Sequence, residues 1–457
     1  LSGCSSNKGG SKDNGDIVTL KWVTVGSGMP SNYDKWEKTI NEYLEEKIGV
    51  HLEMEVVSWG DWESRRNVIV NTNEDYDILF TNVGTYTGDV TLGAFADITD
   101  LVESTTPDLY ASIPSDYWDA VKIDGKIYSV PTYKDSSATQ YFVLDKTLVD
   151  KYSIDTDNLK ELADLTEPLT KIKEGENKVP FILNNLGLDV IYSMNYDQMG
   201  SGLPAVGVKY DDESRTVVNV FEEKVILDQL ELLNQWYKGG IINADAPTLT
   251  ENPSYRAAFV AQGWSSAART TWGPQMGVDA IALQFGETIV SNDSVRGSLN
   301  AISASSKHPK EALKLLELVN TDTYLRDSLY YGLEGDNFEY VDGKVKRLNT
   351  EWPMAGYTQG SFFTVSQLVE EDFNQWDEVK ELNDNAKGSV LLGFTFDTTP
   401  VEDELANCIE IYNRYRSEVN TGAKAPSQIV KTMVEEMNKA GLQKIIDEAQ
   451  SQIDKAF

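Results

Sequence analysis

The chain is poor in the residues that metal sites, disulfide frameworks and nucleic-acid surfaces require. Its 457 residues include two cysteines, Cys4 and Cys408, and two histidines, His51 and His308. These are too few for a zinc cluster or a set of disulfides. Basic residues number 40 against 73 acidic ones, so the formal net charge is -33. Because phosphate backbones need cationic patches, we expect no nucleic acid among the partners.

Long apolar runs and common catalytic motifs are also missing. The sequence has no run of 18 apolar residues that could span a membrane. It contains no G-x-S-x-G, H-E-x-x-H, P-loop or G-x-G-x-x-G motif. Two histidines leave carboxylates as the main acid/base groups at neutral pH. We therefore expect no enzyme, cofactor or metal, while a glycoside hydrolase with two catalytic carboxylates stays an alternative.

The length and the N-terminus indicate a tethered protein of more than one domain. A chain of 457 residues that is 40% hydrophobic predicts roughly two or three domains. Leu1-Ser2-Gly3-Cys4 matches the bacterial lipobox pattern L-x-G-C, which makes Cys4 a candidate lipid attachment point. The polar residues up to 16 read as a flexible tether that would hold the protein at a membrane surface. A disordered tail with a chance cysteine is the alternative.

Residue 17 begins a pattern that alternates between strand and helix. The predicted elements lie at 17–25, 34–48, 52–56, 61–70 and 77–80. This βαβαβ order predicts a parallel, doubly wound sheet, in which ligands collect at the carboxyl ends of the strands. Those ends carry Trp59, Asn82 and Tyr86.

The stretch from Gly125 to Asp145 separates this region from a second α/β region. It contains two strand candidates, Lys126–Val130 and Thr139–Leu144, joined by the polar segment Pro131–Ser137. We expect it to cross from a first lobe to a second, with Tyr133 and Asp135 as ligand contacts.

The second region is predicted to end in helices. Tyr255–Gly263 reads as a short helix, and Trp264–Pro274 as a loop that carries Trp264 and Trp272. Two helical patterns, Val401–Glu418 and Pro426–Phe457, close the chain. Cys408 lies in the first of them and is predicted to be a buried thiol.

The lipobox and two internal motifs together resemble the extracellular solute-binding proteins of ABC transporters, family 1, the carbohydrate class. The motifs are Asp124–Pro131 (DGKIYSVP) and Ala304–Ala312 (ASSKHPKEA). The tail, with Gly393–Asp397 and Ala440–Glu448, is similar to the LipO-like lipoprotein branch. The resemblance covers nearly the whole chain.

The resemblance implies a two-lobed α/β fold of the periplasmic-binding-protein type (type II). Each lobe would be a doubly wound sheet flanked by helices, with hinge strands and a helical C-terminal region. The predicted domains are 1–16 for the lipobox and tether, 17–130 plus about 290–328 for lobe 1, and 131–289 plus about 329–457 for lobe 2.

The implied function is the substrate-binding lipoprotein of an ABC importer. It would capture an oligosaccharide in the interlobe cleft by hinge closure and deliver it to the permease subunits. The protein is expected to be a monomer, lipid-anchored on the extracellular face of a Gram-positive cell membrane. A surface glycan-binding or peptide-binding lipoprotein without a permease stays an alternative.

Sugar recognition needs aromatic rings for the apolar ring faces and fixed polar groups for the hydroxyl rim. The candidate ligand contacts are Trp59, Asn82, Tyr86, Tyr133, Asp135, Trp264, Arg269, Trp272, Asn300 and Tyr357. Their scatter over several loops favours an oligosaccharide over a monosaccharide. We expect alanine at Trp264 or Trp272 to weaken binding at least tenfold, or more than ~1.4 kcal/mol, with little loss of thermal stability. Trp36 and Trp236, on helical faces, are assigned to the core.

Overall fold

A computed structural model describes residues 15–457. The predicted lipobox, its Cys4 and most of the predicted tether lie outside the described residues.

The chain divides into two compact units. Unit 1 comprises the described residues up to Ser112 together with Tyr128–Thr132 and Ser298–Glu371, and unit 2 comprises Ile113–Ile127, Tyr133–Gly297 and Asp372–Phe457. The boundaries of these units differ from the predicted ones. Residues 113–127 and about 290–297 belong to unit 2, and residues 131–132 and 329–371 belong to unit 1, each the reverse of the predicted placement.

The described residues form both strands and helices. The strands are β1 (Val18–Gly26), β2 (Val50–Ser58), β3 (Ile78–Thr81), β4 (Lys122–Ile123), β5 (Lys126–Ile127), β6 (Val130–Pro131), β7 (Ala138–Asp145), β8 (Tyr196–Asp197), β9 (Val206–Lys209), β10 (Val218–Asn219), β11 (Ala258–Gln262), β12 (Ala280–Val290), β13 (Leu299–Ile302), β14 (Phe338–Val341), β15 (Lys344–Arg347) and β16 (Lys387–Gly388). The α-helices are α1 (Tyr33–Ile48), α2 (Trp62–Thr72), α3 (Tyr86–Thr91), α4 (Thr99–Thr105), α5 (Pro107–Ser112), α6 (Ser115–Ala120), α7 (Lys146–Lys151), α8 (Thr166–Glu176), α9 (Val190–Ser193), α10 (Lys224–Lys238), α11 (Gly273–Met276), α12 (Asn292–Val295), α13 (Pro309–Thr321), α14 (Thr323–Tyr330), α15 (Gln375–Asp384), α16 (Glu402–Asn420), α17 (Pro426–Ala440) and α18 (Leu442–Ala456).

Unit 1 is built on a five-stranded sheet in the order β2-β1-β3-β13-β6. β1 runs parallel to both β2 and β3, as the βαβαβ pattern predicts, whereas β13 runs antiparallel to its neighbours β3 and β6. Apolar side chains from both faces are buried, and Trp22 and Trp36 are fully enclosed. The parallel order brings the carboxyl ends of β1, β2 and β3 to one edge of the sheet.

Unit 2 contains a four-stranded sheet in the order β11-β7-β12-β16. β7 pairs antiparallel with both β11 and β12, and β12 pairs parallel with β16. The doubly wound pattern expected of each lobe is thus found in unit 1, while the pairing in this sheet is mostly antiparallel. The predicted helix at Tyr255–Gly263 is wrong, because Ala258–Gln262 forms β11. Its Phe-Val-Ala core suits a buried strand as well as a helix, and a run this short does not separate the two.

The main core of unit 2 lies between one face of this sheet and the helices α10, α16, α17 and α18. Trp236 and Cys408 are buried in it, as predicted, and burial raises the pKa of the Cys408 thiol to about 11. The single helix expected at Pro426–Phe457 is divided at Gly441, which has a φ of 106°. A Cβ atom there would lie 2.6 Å from the side chain of Glu404, so glycine allows the two helices to turn closely against α16.

The stretch between β4 and β7 changes units twice. β5 pairs with β4 in a hairpin whose turn residues, Asp124 and Gly125, both have positive φ, as a two-residue Asp-Gly turn requires. β6 then joins the sheet of unit 1 by pairing with β13, and β7 enters the sheet of unit 2. The predicted strand Lys126–Val130 is therefore two short strands that belong to different units. The predicted strand Thr139–Leu144 is confirmed within β7.

Among residues 15–457, no helix is both long and apolar enough to cross a membrane. Within that same part of the chain, His, Cys, Asp and Glu side chains form no group of three or more that could hold a metal ion.

Candidate functional site

Unit 1 exposes an indole ring where β2 ends. Trp59 follows β2 directly and leaves 52% of its surface exposed. A tight turn fixes its backbone, because the Ser58 hydroxyl donates to the Asp61 carboxylate at 2.9 Å and the Asp61 N–H donates to the Ser58 carbonyl at 3.1 Å. A large apolar ring thus stands at the sheet edge where parallel α/β folds bind ligands.

Trp59 and Tyr357 form a stacked pair of rings. Their centroids lie 6.3 Å apart with an angle of 12° between the ring planes. The edge of the Tyr357 ring also meets Phe80 at 6.1 Å, at an angle of 84°. Partial burial raises the pKa of the Tyr357 hydroxyl. The two ring planes are held nearly parallel, and the exposed part of the Trp59 indole suits the flat apolar face of a sugar ring.

The segment that precedes Tyr357 packs closely against the backbone at the end of β1. Ser27 donates its N–H to the Pro353 carbonyl at 2.9 Å, and a Cβ atom on Gly26 would lie 2.6 Å from that same oxygen. Glycine at residue 26 therefore permits the approach. The Ser298 hydroxyl donates to the Tyr357 carbonyl at 2.7 Å and fixes the other side of the turn.

Three further predicted contacts in unit 1 have structural partners. The partly buried Asn82 accepts the Gly84 N–H at 3.0 Å through its side chain and so forms the turn after β3. Tyr86 is 0% exposed and stacks on Phe95. Asn300 is 2% exposed. These burials leave Tyr86 and Asn300 no surface for a ligand, and we withdraw both from the candidate set.

Asn300 joins two parts of the unit 1 core. Its side-chain oxygen accepts the Trp22 Nε1–H at 3.1 Å, and its amide nitrogen donates to the Thr358 carbonyl at 2.9 Å. A buried amide with both ends satisfied stabilises the core. Asn300 lies within β13, and its side chain points into the protein.

In unit 2, the segment before β7 is held by the C-terminal end of α15. The hydroxyl of the buried Tyr133 donates to Asp384 at 2.9 Å, and Asn383 donates to the Lys134 carbonyl at 2.5 Å. Ser137 donates to Asn383 at 2.7 Å. Burial and the hydrogen bond to Asp384 raise the pKa of Tyr133. Tyr133 therefore anchors the segment and is not a surface for a ligand ring.

Asp135 lines a cavity of about 370 Å³ within unit 2. Its carboxylate forms an ion pair with Lys134 at 2.9 Å. The other polar lining residues include Gln140, Asp197, Gln198, Gln262, Glu287 and Asp293. Burial raises the pKa values of the Asp197 and Asp293 carboxyls. The cavity lining has more carboxyl groups than basic groups. Carboxylate oxygens accept hydrogen bonds, so the cavity suits the hydroxyl groups of a ligand.

Trp264 lies in the turn after β11 and is partly exposed. Its ring centroid is 5.6 Å from that of Trp376, with an angle of 56° between the planes. Its Nε1–H donates to Gln375 at 3.3 Å. A second pair of aromatic rings is thus found in unit 2.

Arg269 and Trp272 follow this turn in a helical segment, not in the predicted loop. The segment Ala268–Trp272 is a π-helical turn that continues into α11. Arg269 pairs with Asp372 at 2.8 Å and covers the Phe373 ring, while Trp272 is 7% exposed and packs on Tyr141. Trp272 therefore belongs to a small core cluster, and we withdraw it from the candidate set.

Sequence reasoning missed the helix α15, whose residues Trp376 and Glu378 contact the predicted loop at Trp264. The available signal was the N-cap residue Asn374, whose side chain accepts the Trp376 N–H at 3.0 Å. An Asn directly ahead of the sequence Gln375-Trp376 predicts a helix start with an aromatic ring in its first turn.

A family described as "Bacterial extracellular solute-binding protein" matches residues 38–330, well over half of the chain. The chain belongs to this family. Residues 390–457 of this solute-binding protein also match a family described as a domain of unknown function, DUF3502. These residues include α16, α17 and α18 of unit 2.

Two relatives from Streptococcus pneumoniae resemble this solute-binding protein along nearly its whole length. A carbohydrate ABC transporter substrate-binding protein is 28% identical and aligns with 99% of this chain and 94% of its own length. The crystal structure of the N-glycan transport solute binding protein NgtS is 27% identical, covers 96% of this chain and 99% of its own, and has a TM-score of 0.83. A second NgtS structure, in complex with Man5GlcNAc, has a TM-score of 0.65.

The family match confirms the resemblance inferred from the motifs. The protein has the two-lobed α/β fold of the periplasmic-binding-protein type, and it is a member of an extracellular family of ABC transporter substrate-binding proteins.

Proposed function

We propose that this protein binds an oligosaccharide for import by an ABC transporter. The observation that carries the proposal is the stacked pair of Trp59 and Tyr357, whose exposed indole lies at the carboxyl ends of parallel strands. The relatives support it, because one is named a carbohydrate-binding protein and the other binds Man5GlcNAc. Capture by closure of the two lobes, predicted from the family resemblance, is part of the proposal.

The ligand contacts that remain in the proposal lie in both units. They are Trp59, Asn82 and Tyr357 in unit 1 and Asp135, Trp264 and Arg269 in unit 2. The first group offers ring faces and an amide, and the second offers an indole, a carboxylate and a guanidinium. An oligosaccharide presents both apolar ring faces and hydroxyl groups, so it can use each type.

Isothermal titration calorimetry with a glycan panel that includes Man5GlcNAc tests the proposal. We expect saturable binding of at least one oligosaccharide by the purified protein, and weaker binding of its constituent monosaccharides. A matched peptide panel serves as the comparison. Binding of peptides with no response to any glycan would contradict the proposed ligand class.

We propose further that the protein does not cleave its ligand. Two carboxyls whose pKa values are raised by burial, Asp197 and Asp293, line a cavity that also holds amide and hydroxyl groups suited to binding. Mass spectrometry after prolonged incubation with the bound oligosaccharide should return it intact. Shortened products that disappear on denaturation of the protein would favour the glycoside hydrolase alternative.

The charge of the unit 2 cavity predicts a preference for neutral glycans. Asp135, Asp197, Glu287 and Asp293 line it, against a single lysine, Lys134. Oxidation of the C6 hydroxyls of a bound neutral oligosaccharide to carboxylates should weaken binding at least tenfold at pH 7, because like charges repel more strongly away from bulk water. Calorimetry measures the ratio of the affinities for the neutral and the oxidised glycan. The Asp293→Asn variant should have a smaller ratio, because it removes one carboxylate from the cavity. Equal affinities for the two glycans would contradict the prediction.

The proposal also includes delivery to permease subunits by a lipid-anchored monomer. The candidate anchor is Cys4, and the permease follows from the family. A strain that lacks the protein should lose uptake of the glycan identified by calorimetry. When that strain expresses the Cys4→Ala variant, the released protein should bind the glycan in the culture medium, but uptake should not recover. Unchanged growth and uptake in the deletion strain would favour a surface glycan-binding protein that serves no transporter.

A further inference from the structure

The helix α15 contacts both of the unit 2 segments predicted to bind ligand. Its C-terminal residues Asn383 and Asp384 hold the segment before β7, as described above. Its N-terminal residues contact the turn at Trp264 and the helical segment that follows. One ten-residue helix therefore sets the positions of two loops that are more than a hundred residues apart in the chain.

The carboxylate of Glu378 is the main contact at the N-terminal end of α15. One oxygen accepts the Ser265 N–H at 2.8 Å and the Ser265 hydroxyl, and the other accepts the Ser266 N–H at 3.0 Å and the Ser266 hydroxyl at 2.5 Å. These N–H groups begin a helical segment, where a negative charge is favourable. The four hydrogen bonds lower the pKa of Glu378 despite its partial burial, which acts in the opposite direction.

This clamp determines where the indole of Trp264 lies. Trp264 directly precedes Ser265, and its ring is held between Gln375, which accepts its Nε1–H, and the tilted ring of Trp376. Both indoles are partly exposed. Polar side chains lie on the same segments, because Thr270 donates to Gln375 at 3.2 Å and Arg269 pairs with Asp372 at 2.8 Å. Aromatic surface within a polar rim is the arrangement that a pyranose ring with hydroxyl substituents fits.

We propose that Trp264 and Trp376 form a sugar-binding surface on unit 2, with Trp376 as a ligand contact and Glu378 as the positioning residue that holds the Trp264 turn. The ligand class is a pyranose unit of a neutral oligosaccharide. This inference rests on the proposed function, because it assigns a second contact surface for the same ligand. It places part of the specificity in α15, a segment that carries none of the predicted contacts.

Three variants test the proposal with Man5GlcNAc as the probe, namely Trp376→Ala, Glu378→Gln and the control Asp377→Asn. Asp377 is exposed and lies in the same turn of α15. We expect Trp376→Ala to weaken binding at least tenfold with an unchanged Tm. Glu378→Gln should weaken binding severalfold and speed hydrogen exchange at the Ser265 and Ser266 amides, whereas Asp377→Asn should bind like the wild type.

The outcomes separate this inference from the proposed function. If Trp376→Ala binds like the wild type while Trp59→Ala does not, the unit 2 surface is wrong and oligosaccharide binding stands. If Glu378→Gln lowers Tm but changes neither affinity nor exchange at Ser265 and Ser266, the residue is structural and the positioning role is overturned. If the wild type binds neither Man5GlcNAc nor any other glycan of the panel, both proposals fail together.

Discussion

Replacement of Trp59 by alanine should weaken oligosaccharide binding at least tenfold, a loss of ~1.4 kcal/mol or more. The indole offers half of its surface to solvent and stacks nearly parallel to Tyr357, so without it a bound sugar ring would lose both ring contact and apolar burial. Such aromatic contacts contribute about 0.5–1.5 kcal/mol beyond the area that they bury. Calorimetry on the variant and the wild type measures the difference, and Tm should change little because the ring supports little of the core.

Leu92→Ala is the matched control for Trp59→Ala. Leu92 also belongs to unit 1 and is 68% exposed, but it lies at the end of α3. The Leu92→Ala variant should bind like the wild type, since it loses an exposed apolar side chain away from the stacked rings. Equal affinities of Trp59→Ala and Leu92→Ala would contradict the assignment of the Trp59 surface.

Replacement of Trp272 by alanine should have the opposite profile, with a large loss of stability. The side chain is 7% exposed and packs on Tyr141 in a small cluster separate from the main core of unit 2. Removal of a buried tryptophan side chain typically costs about 3–5 kcal/mol, because the cavity that remains collapses only in part. Denaturant unfolding monitored on unit 2 measures the change, with Trp272→Phe as the milder comparison.

The affinity of the folded Trp272→Ala protein separates this expectation from the one based on sequence. Sequence reasoning had placed Trp272 in a loop and had expected weaker binding with unchanged stability. The structure instead predicts near wild-type affinity, measured at a temperature well below the lowered Tm. A stable variant with tenfold weaker binding would restore Trp272 as a ligand contact.

The local order of the first unit could be predicted from sequence, and so could the exposed residue at its edge. The alternation of strand and helix patterns in the first 80 residues indicated parallel strands. A large aromatic residue directly after β2 was therefore expected at the carboxyl edge of the sheet. The same reasoning could not separate Trp59 from Tyr86 or Asn300, because a position in or beside a strand does not determine which way a side chain points. Tyr86 turns into the core on the first turn of α3, and Asn300 bonds to the buried Trp22.

The second unit was harder to predict because its key contacts join distant segments. Sequence patterns report neighbours along the chain, whereas Glu378 meets Ser265 across 113 residues. The loop assigned to Trp264–Pro274 contains no strong apolar period, yet it folds into helical turns once α15 supplies a carboxylate for its first N–H groups. A partner from elsewhere in the chain overrides the local preference there.

The passage of the chain between units has a consequence for biosynthesis. Strand β3 is buried along its whole length, and one of its edges is covered by β13, whose residues Leu299–Ile302 are made more than two hundred residues later. Until then, the nascent sheet exposes an unpaired apolar edge, the kind of surface that invites aggregation. Unit 1 becomes complete only once Glu371 has been made. We therefore expect the nascent chain to depend on chaperones during export, and early truncations to be insoluble.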